Sequence, residues 1–359
     1  MYAKYKNYCL FLKLTMTATY KQYILNFKQA SGTSRGILKT KETWFLIVEQ
    51  DGKKGIGECG LFRGLSADDV PNYEQKLQWT CNNIHLGLAV LLEELQAFPS
   101  IQFGLEQAFA SLQSEHPFLL FPSAFTQGKD TIPINGLIWM GTEAFMKQQI
   151  KDKIEAGFSC IKMKIGAIDF NTEINLLKSI RKTFTSNDIE LRVDANGAFK
   201  PNEALEKLKV LSDLDLHSIE QPMKQGQIQE MARLCEETPL PIALDEELIG
   251  VFNVTKREEL LQTIQPQYII LKPSLVGGFA GSNNWIDIAE KQKIGWWITS
   301  ALESNVGLNA IAQFTYTLQS KLPQGLGTGS LFTNNFESPL QVKKGALQYQ
   351  NKTNWKTNF

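Results

Sequence analysis

The sequence predicts an α/β protein, with a TIM-like (β/α)7β barrel and an N-terminal α+β capping domain. The first observation is that short apolar runs alternate with amphipathic segments from Thr131 onward. The second is that a polar residue ends each run at intervals of 25 to 30 residues: Lys164, Asp194, Glu220, Asp245, Lys272 and Ser300. One strand, one helix and two loops need about this length, so the spacing is typical of consecutive βα units in a closed barrel.

The barrel is predicted to span residues 126–334, with eight strands and seven helices, so that the last helix is missing or replaced. Branched and aromatic residues predict strands near 132–139, 160–165, 190–194, 216–220, 241–245, 268–272, 296–300 and 324–331. Apolar residues at helical spacing predict helices near 143–156, 172–183, 202–211, 227–237, 256–262, 285–292 and 306–318.

The capping domain is predicted to comprise residues 19–125, completed by the C-terminal tail at 335–359. Three strand-type runs, the last two joined by an Asp51-Gly52 turn, precede helical segments in this region. The tail has two short strand-type runs around Lys344-Gly345, which predicts a hairpin that returns to the first domain. Residues 1–18 are predicted to be a disordered extension, with Met16 as an alternative start.

Composition limits the classes of function. Lys plus Arg and Asp plus Glu both number 37, so the balance gives no reason to expect nucleic acid or an anionic membrane as a partner. The five cysteines form no CxxC pair, which indicates reduced thiols in a cytoplasmic protein. No apolar run approaches the roughly 20 residues needed to cross a bilayer. We therefore expect a cytoplasmic monomer or homo-oligomer that acts on a small molecule.

Three carboxylates are predicted to lie together at the mouth of the barrel. Asp194, Glu220 and Asp245 end three adjacent strands, and reactive residues of such barrels gather at these ends. Three crowded carboxylates repel one another unless a cation is present, and oxygen ligands favour Mg²⁺ or Mn²⁺ over zinc. The alternative is that each acid pairs with its own Arg or Lys at the rim.

Two lysines on one strand, Lys162 and Lys164, are predicted to point into the barrel, while Lys272 enters from the opposite side. A lysine near a second ammonium group and a metal ion has a lowered pKa and can serve as a base. Positive charge on both sides of a bound carboxylate suits removal of the proton from the carbon next to it. The expected substrate is a small-molecule carboxylate.

Other segments carry weaker signals. Arg192 and Asn196 share a strand face with Asp194 and are expected to contact substrate. The loop with Leu61 and Phe62 either forms a lid or packs on a neighbouring helix. The glycine-rich segment around Gly327 favours a backbone anion site at the last strand.

The motifs Lys162-Met163-Lys164, Asp194-Ala195-Asn196, Glu220-Gln221-Pro222, Asp245-Glu246 and Leu271-Lys272-Pro273 resemble the muconate-lactonizing subgroup of the enolase superfamily. The resemblance covers roughly Tyr20 to Tyr349. It implies a capping domain on a (β/α)7β barrel, and a Mg²⁺ ion held by Asp194, Glu220 and Asp245. It also implies that Lys164 and Lys272 are the acid/base pair.

Within that subgroup, Arg192 and the segments 299–304 and 325–332 resemble the o-succinylbenzoate synthases of menaquinone biosynthesis, which are carbon–oxygen lyases. Their reaction is the syn dehydration of 2-succinyl-6-hydroxy-2,4-cyclohexadiene-1-carboxylate (SHCHC) to 2-succinylbenzoate. The resemblance implies that Lys164 removes the α-proton, that Mg²⁺ holds the enediolate, and that protonated Lys164 assists loss of hydroxide. Lys272 would stabilise the anion and Lys162 would tune Lys164. Leu61 and Phe62 would close over the site, and Ser300 with backbone near Gly327 would meet the succinyl end.

Two alternatives remain at this point. An N-acyl amino acid racemase or a dipeptide epimerase would use Lys164 and Lys272 as bases on opposite faces of the substrate. Dipeptide epimerases place an Asp-x-Asp where this chain has Ser300-Ala301-Leu302-Glu303, which disfavours that option, whereas racemisation of N-acyl amino acids stays open. A non-catalytic barrel scaffold would be expected to lack at least one catalytic position, and here all are present.

Overall fold

The computed structural model describes residues 16–33 and 36–356. The chain opens with a three-stranded antiparallel sheet of β1 (Thr17–Thr33), β2 (Gly36–Gln50) and β3 (Lys53–Cys59). Most of the predicted extension 1–18 lies outside the described residues. Thr17 and Ala18, however, pair with Glu49 and Val48, so the prediction of disorder is wrong for these two. Their backbone groups bond the end of β2, which would otherwise lack partners on that side.

Helices pack on this sheet and complete the capping domain. They are α1 (Tyr73–Asn82), α2 (Leu88–Glu94) and α3 (Pro99–Gln113), with a 3₁₀ turn at Ile84–Leu86. A Cβ atom at Gly57 of β3 would lie 1.9 Å from the carbonyl oxygen of Gly104 in α3. Only glycine permits this approach, which brings α3 directly onto the sheet.

The second half of the chain builds a parallel sheet of seven strands among the described residues, in the order β11-β10-β9-β8-β7-β6-β5. A two-residue strand, β4 (Ile132–Pro133), precedes it. The parallel strands are β5 (Gly136–Ile138), β6 (Cys160–Lys164), β7 (Glu190–Asp194), β8 (Ser218–Glu220), β9 (Ile242–Leu244), β10 (Tyr268–Leu271) and β11 (Gly295–Ile298).

Helices connect these strands as the alternation predicted. They are α4 (Glu143–Glu155), α5 (Phe170–Arg181), α6 (Pro201–Ser212), α7 (Ile228–Glu237), α8 (Val254–Ile264), α9 (Pro273–Val276), α10 (Gly278–Lys291) and α11 (Asn305–Thr317). A 3₁₀ turn, Glu246–Leu248, follows β9. No helix among the described residues is long and apolar enough to cross a bilayer.

Helix α10 starts earlier than the predicted helix 285–292. The carboxylate of Glu106, on α3, accepts hydrogen bonds from Phe279 N at 2.5 Å and Ala280 N at 2.9 Å. A side chain from the capping domain therefore supplies the N-terminal partners that the local glycine-rich sequence lacks. Such a distant partner gives no periodic signal in the sequence.

The two edges of the parallel sheet are joined by a very short eighth strand. Parallel bridges link Ile134 to Gln324 and Thr299 to Gly325. A Cβ atom at Gly325 would lie 2.2 Å from Thr299 Oγ1, so glycine lets the closing strand lie against β11. The predicted eighth strand 324–331 therefore pairs with the parallel sheet only at its first two residues. The chain then leaves the barrel wall and reaches β1, where Lys28 N donates to the carbonyl oxygen of Leu331 at 2.8 Å.

The C-terminal hairpin is confirmed. β12 (Leu340–Lys343) and β13 (Ala346–Tyr349) pair antiparallel across Lys344-Gly345. Strand β13 pairs with β4, which precedes the parallel sheet, in a small third sheet of order β12-β13-β4, rather than with the capping sheet. The flanking aromatic residues contact the first domain: Phe336 lies 5.3 Å from Phe45, and Trp355 lies 4.3 Å from Phe118, between ring centroids. The tail thus contacts both parts of the chain.

Candidate active site

Charged side chains meet at the carboxyl end of the parallel sheet. Lys164, Asp194 and Glu220 end β6, β7 and β8, and the strand register pairs Lys164 with Asp194 and Asp194 with Glu220. Asp245 follows β9 directly, and Lys272 follows β10. The three carboxylates are at most 2% exposed. The spacing read from the sequence therefore corresponds to a real cluster at one rim.

Each carboxylate contacts a lysine. Lys162 Nζ donates to Glu220 Oε2 at 2.6 Å, and Lys164 Nζ donates to Asp194 Oδ2 at 2.9 Å. Lys272 Nζ donates to Asp245 Oδ2. The ammonium groups balance the acids in this state, because buried carboxylates without a counter-charge would be very costly.

Burial and neighbouring charges shift the pKa values of Asp194 and Glu220 in opposite directions. Burial alone would raise the pKa of Asp194, but Lys164 and Lys162 outweigh it and hold that pKa well below its usual range. Burial and then the neighbouring Asp194 raise the pKa of Glu220 to about 8 in spite of Lys162, and Asp245 adds to this rise. Of Asp194 and Glu220, Glu220 is therefore the acid whose ionisation is disfavoured by burial and by the neighbouring carboxylates.

The three carboxylates have the donor chemistry of a divalent-cation site. Among residues 16–33 and 36–356, no three His, Cys, Asp or Glu side chains converge on one metal-sized point. Glu220 Oε1, however, is buried and has no hydrogen-bond partner within the described part of the chain. The three buried acids offer only oxygen donors, one of them unused, and this chemistry fits a hard cation such as Mg²⁺ or Mn²⁺. In this structure each acid faces its own lysine rather than a point shared with the other two.

A cavity of about 410 Å³ opens beside this cluster. Lys162 and Lys164 reach it from one side and Lys272 from another, with Asp194 and Glu220 at the same surface. Apolar side chains from both parts of the chain complete the walls: Leu38, Phe62, Leu65, Leu137, Trp139, Leu302 and Leu331. The cavity therefore suits a small, partly apolar molecule that carries negative charge.

Comparison with known proteins agrees with this geometry. Residues 145–353 match the family model described as "Enolase C-terminal domain-like". The chain is 46% identical over 363 residues to o-succinylbenzoate synthase of Desulfotalea psychrophila, covering 92% of this chain and 98% of that protein. The chain belongs to the o-succinylbenzoate synthase family of the enolase superfamily. The resemblance and fold class predicted from the motifs are thereby confirmed.

The crystal structure of MenC from Desulfotalea psychrophila LSv54 superimposes on this chain with a TM-score of 0.83 at 43% identity, covering 93% of this chain and 99% of that one. The chain is also 31% identical to L-amino acid-D/L-Glu epimerase of Francisella philomiragia, over 75% of this chain and 77% of that protein. Both identity and coverage are lower than for the synthase. The epimerases thus share the superfamily, and they fit this chain less well.

Most of the residues predicted for the site face the cavity of this o-succinylbenzoate synthase family member. Asn196 accepts a hydrogen bond at Oδ1 from Lys164 Nζ at 2.5 Å. The hydroxyl groups of Ser300 and Thr328 are 2.7 Å apart at the cavity wall, next to Gly327. Phe62 lines the cavity with two other apolar residues of the capping domain, Leu38 and Leu65. The cavity therefore has polar groups beside the carboxylates, at Asn196, and also on the segments that carry Ser300 and Thr328.

Leu61 does not reach the cavity, contrary to the prediction that it closes over substrate. It is fully buried in an apolar cluster of the capping domain that includes Leu46 and Tyr73. Neighbouring residues in an extended loop point in opposite directions, so Leu61 packs inward while Phe62 faces the barrel. The sequence left open whether this loop forms a lid or packs on a neighbouring helix, and for Leu61 the structure shows packing.

Arg192 also lies away from the cavity, so its predicted contact with substrate is wrong. Its Nε donates to Glu190 Oε1 at 2.7 Å, and its Nη1 donates to the carbonyl oxygen of Pro323 at 3.0 Å. The guanidinium carbon lies 4.2 Å from the centre of the Trp297 ring. Arg192 faces inward like Asp194, but two residues earlier on the strand places it one layer deeper in the barrel.

Several cavity residues were not singled out from the sequence. The Trp139 ring centre lies 5.9 Å from Lys164 Nζ, and Gln149 holds the backbone of Trp139 at both its N–H and its carbonyl group. Thr299 and Asn135 also line the cavity. Trp139 and Thr299 follow the ends of the first and seventh parallel strands. Their place directly after a strand end is the signal in the sequence that indicates these two residues.

Proposed function

We propose that this chain catalyses the dehydration of SHCHC to 2-succinylbenzoate, a step of menaquinone biosynthesis. The observation that carries the proposal is that Lys164 and Lys272 reach one cavity from different strands, beside three buried carboxylates. The family membership supplies the substrate class, and the mixed polar and apolar walls suit a cyclic carboxylate. The location of the chain in the cytoplasm and its oligomeric state stay predictions.

Lys164 is proposed to move the proton. Its Nζ lies at the cavity surface and donates to Asn196 Oδ1, which is not one of the proposed metal ligands, so a carbon next to a carboxylate in the cavity meets an amine of defined orientation. As a base it takes the α-proton, and in its protonated form it then gives a proton to the departing hydroxide on the same face. One residue therefore serves both halves of a syn elimination.

Lys162 and Lys272 are proposed to act through charge. Lys162 lies between Glu220 and Asp194, with Nζ 3.4 Å from Asp194 Oδ2. Lys162 and Lys164 therefore contact the same carboxylate oxygen of Asp194. Lys272 is paired with Asp245 and faces the same cavity, where its ammonium group can stabilise the anion formed when the proton leaves. In this division of roles only Lys164 gains and loses a proton, while Lys162 and Lys272 stay charged.

Asp194, Glu220 and Asp245 are proposed to hold Mg²⁺, with Mn²⁺ as a substitute. When bound, the cation supplies concentrated positive charge beside the substrate carboxylate, which makes the neighbouring proton easier to remove. The lysines now in contact with these acids would then be released toward the substrate.

Ser300 is proposed to bind the succinyl end of the substrate. Since Ser300 and Thr328 share one hydrogen bond, one of the two hydroxyl groups keeps a proton to donate into the cavity. We expect Ser300→Ala to raise KM about tenfold with little change in kcat, as for loss of one hydrogen bond to a charged group. Steady-state kinetics would check this, with Ser179→Ala, an exposed residue of α5, as the matched control. A change confined to kcat would contradict the assignment.

A second candidate, racemisation of N-acyl amino acids, deserves the same test, because two lysines that face one cavity also suit proton transfer on opposite faces. Purified protein with Mg²⁺ should be mixed with SHCHC and, separately, with N-succinyl amino acids. We expect 2-succinylbenzoate to form, detected by its aromatic absorbance. Racemisation without any dehydration would overturn the proposal in favour of the second candidate.

A further inference from the structure

A buried lysine of the capping domain, Lys41, has no part in the reaction proposed above. It lies on β2, is 5% exposed, and its Nζ has no hydrogen-bond acceptor among the described residues. Burial lowers its pKa, while the carboxylates of Glu303 and Glu58 act in the opposite direction. Lys41 and Thr43 are two residues apart on β2 and so share a face of the strand, and Thr43 Oγ1 donates to Glu58, which also bonds Ser304, the neighbour of Glu303. Both acids therefore lie on the side to which Lys41 points, where their charges can balance the buried ammonium group.

Glu58 joins the capping sheet to the barrel. Its Oε1 accepts from Thr43 Oγ1 at 2.8 Å and from Ser304 N at 2.9 Å. Its Oε2 accepts from Ser304 Oγ at 2.5 Å and from Gly307 N at 2.8 Å. Thr43 belongs to β2, like Lys41, whereas Ser304 and Gly307 lie at the start of α11. One acid on β3 therefore fixes the N-terminus of a barrel helix.

Glu303 joins the start of α9 to the segment after β11 that lines the cavity. Its Oε1 accepts from Ser274 Oγ at 2.5 Å, and its Oε2 accepts from Ala301 N at 2.7 Å. Ser274 follows Lys272 by two residues, and Ala301 is adjacent to Ser300. All three residues of this contact are buried. The position of Glu303 therefore affects both the second lysine and the wall proposed to bind the succinyl end.

We propose that Lys41 is a positioning residue for the active site. Its buried charge balances Glu303 and Glu58 from the capping side, and so favours the ionised form of Glu303, which accepts hydrogen bonds from both Ser274 and Ala301. Lys272 and Ser300 are thereby aligned across the boundary between the two parts of the chain. The inference rests on the proposed function, because that function gives Lys272 and Ser300 their roles.

The test is Lys41→Met, which keeps the length and apolar stem of the side chain but removes its charge. We expect kcat to fall about 100-fold, as when a catalytic group is misplaced by about 1 Å. The dissociation constant for Mg²⁺, measured by calorimetry, should change less than twofold, because the charge acts on loops and not on the three acids. Lys39→Met, at an exposed position of the same strand, is the matched control, and Lys41→Arg should keep most of the activity.

A double variant, Lys41→Met with Glu303→Gln, separates charge from packing. Glutamine can keep both hydrogen bonds and needs no counter-charge, so the double variant should recover most of the lost kcat. If Lys41→Met does not fold, the double variant and Lys41→Arg should still fold and turn over. Unchanged kcat in Lys41→Met, or a double variant as poor as the single one, would overturn the inference.

The rates are to be measured with whichever of SHCHC or N-succinyl amino acids the unmodified protein converts. A failure of the proposed function would then appear in the unmodified protein. A failure of the present inference would appear only in the ratio between variant and unmodified rates.

Discussion

Lys164→Ala is expected to reduce turnover of SHCHC by at least about 10⁴-fold. General acid–base groups each contribute about 10²–10⁴-fold, and Lys164 is assigned to both proton transfers. Its Nζ is held by Asp194 and Asn196 at the cavity surface, and the described residues offer no second amine so placed on that strand except Lys162, which is paired with Glu220. Steady-state and single-turnover rates with SHCHC would measure the loss.

The control for this variant is Lys178→Ala, at an exposed position of α5, which should keep full activity. Circular dichroism should show that Lys164→Ala is folded, and calorimetry should show that it still binds Mg²⁺. If a folded variant retained a tenth of the activity, Lys164 could not be the base, and Lys272 would become the leading candidate.

Glu220→Gln is expected to weaken Mg²⁺ binding at least about 100-fold. Changes to groups around a metal ligand already cost about 10–100-fold in affinity, and Glu220 is proposed as a ligand itself. Glutamine has nearly the same shape but removes the negative charge and one of the two acceptor oxygens. Calorimetric titration with Mg²⁺ measures the effect without reference to turnover.

Chelation supplies the second half of this prediction. Dialysis against EDTA should abolish turnover, and Mg²⁺ or Mn²⁺ should restore it in the unmodified protein. Glu236→Gln, at an exposed position of α7, is the matched control and should bind Mg²⁺ normally. Unaltered affinity in Glu220→Gln, or full activity after chelation, would remove the cation from the mechanism.

The sequence was most informative where chemistry and spacing coincide. Polar residues at the strand ends gave the order of the barrel and the cluster around Asp194, because parallel strands bring all their carboxyl ends to one rim. The same pattern could not show how deep in the barrel each inward-facing side chain lies. Arg192 and Asp194 alternate onto one face, yet only Asp194 reaches the cavity, and nothing in a two-residue period tells one layer from the next.

Contacts between segments distant in the chain could not be predicted from the sequence either. The early start of α10 depends on Glu106 from the capping domain, and the hairpin partner β4 depends on how the tail crosses the barrel. The eighth strand is short because pairing with the parallel sheet stops after Gly325. The residues that follow line the cavity, and Leu331 and Phe332 then pair with β1. These features arise from tertiary packing, which overrides local propensity.

The central proposal is that Asp194, Glu220 and Asp245 hold one cation, and that Lys164 and Lys272 flank the substrate carboxylate beside it. A crystal structure of the protein with Mn²⁺ and 2-succinylbenzoate tests this most directly, because Mn²⁺ gives an anomalous signal. We expect one peak bounded by Asp194, Glu220 and Asp245, with the product between Lys164 and Lys272. A peak elsewhere, or a product bound away from these lysines, would contradict the account.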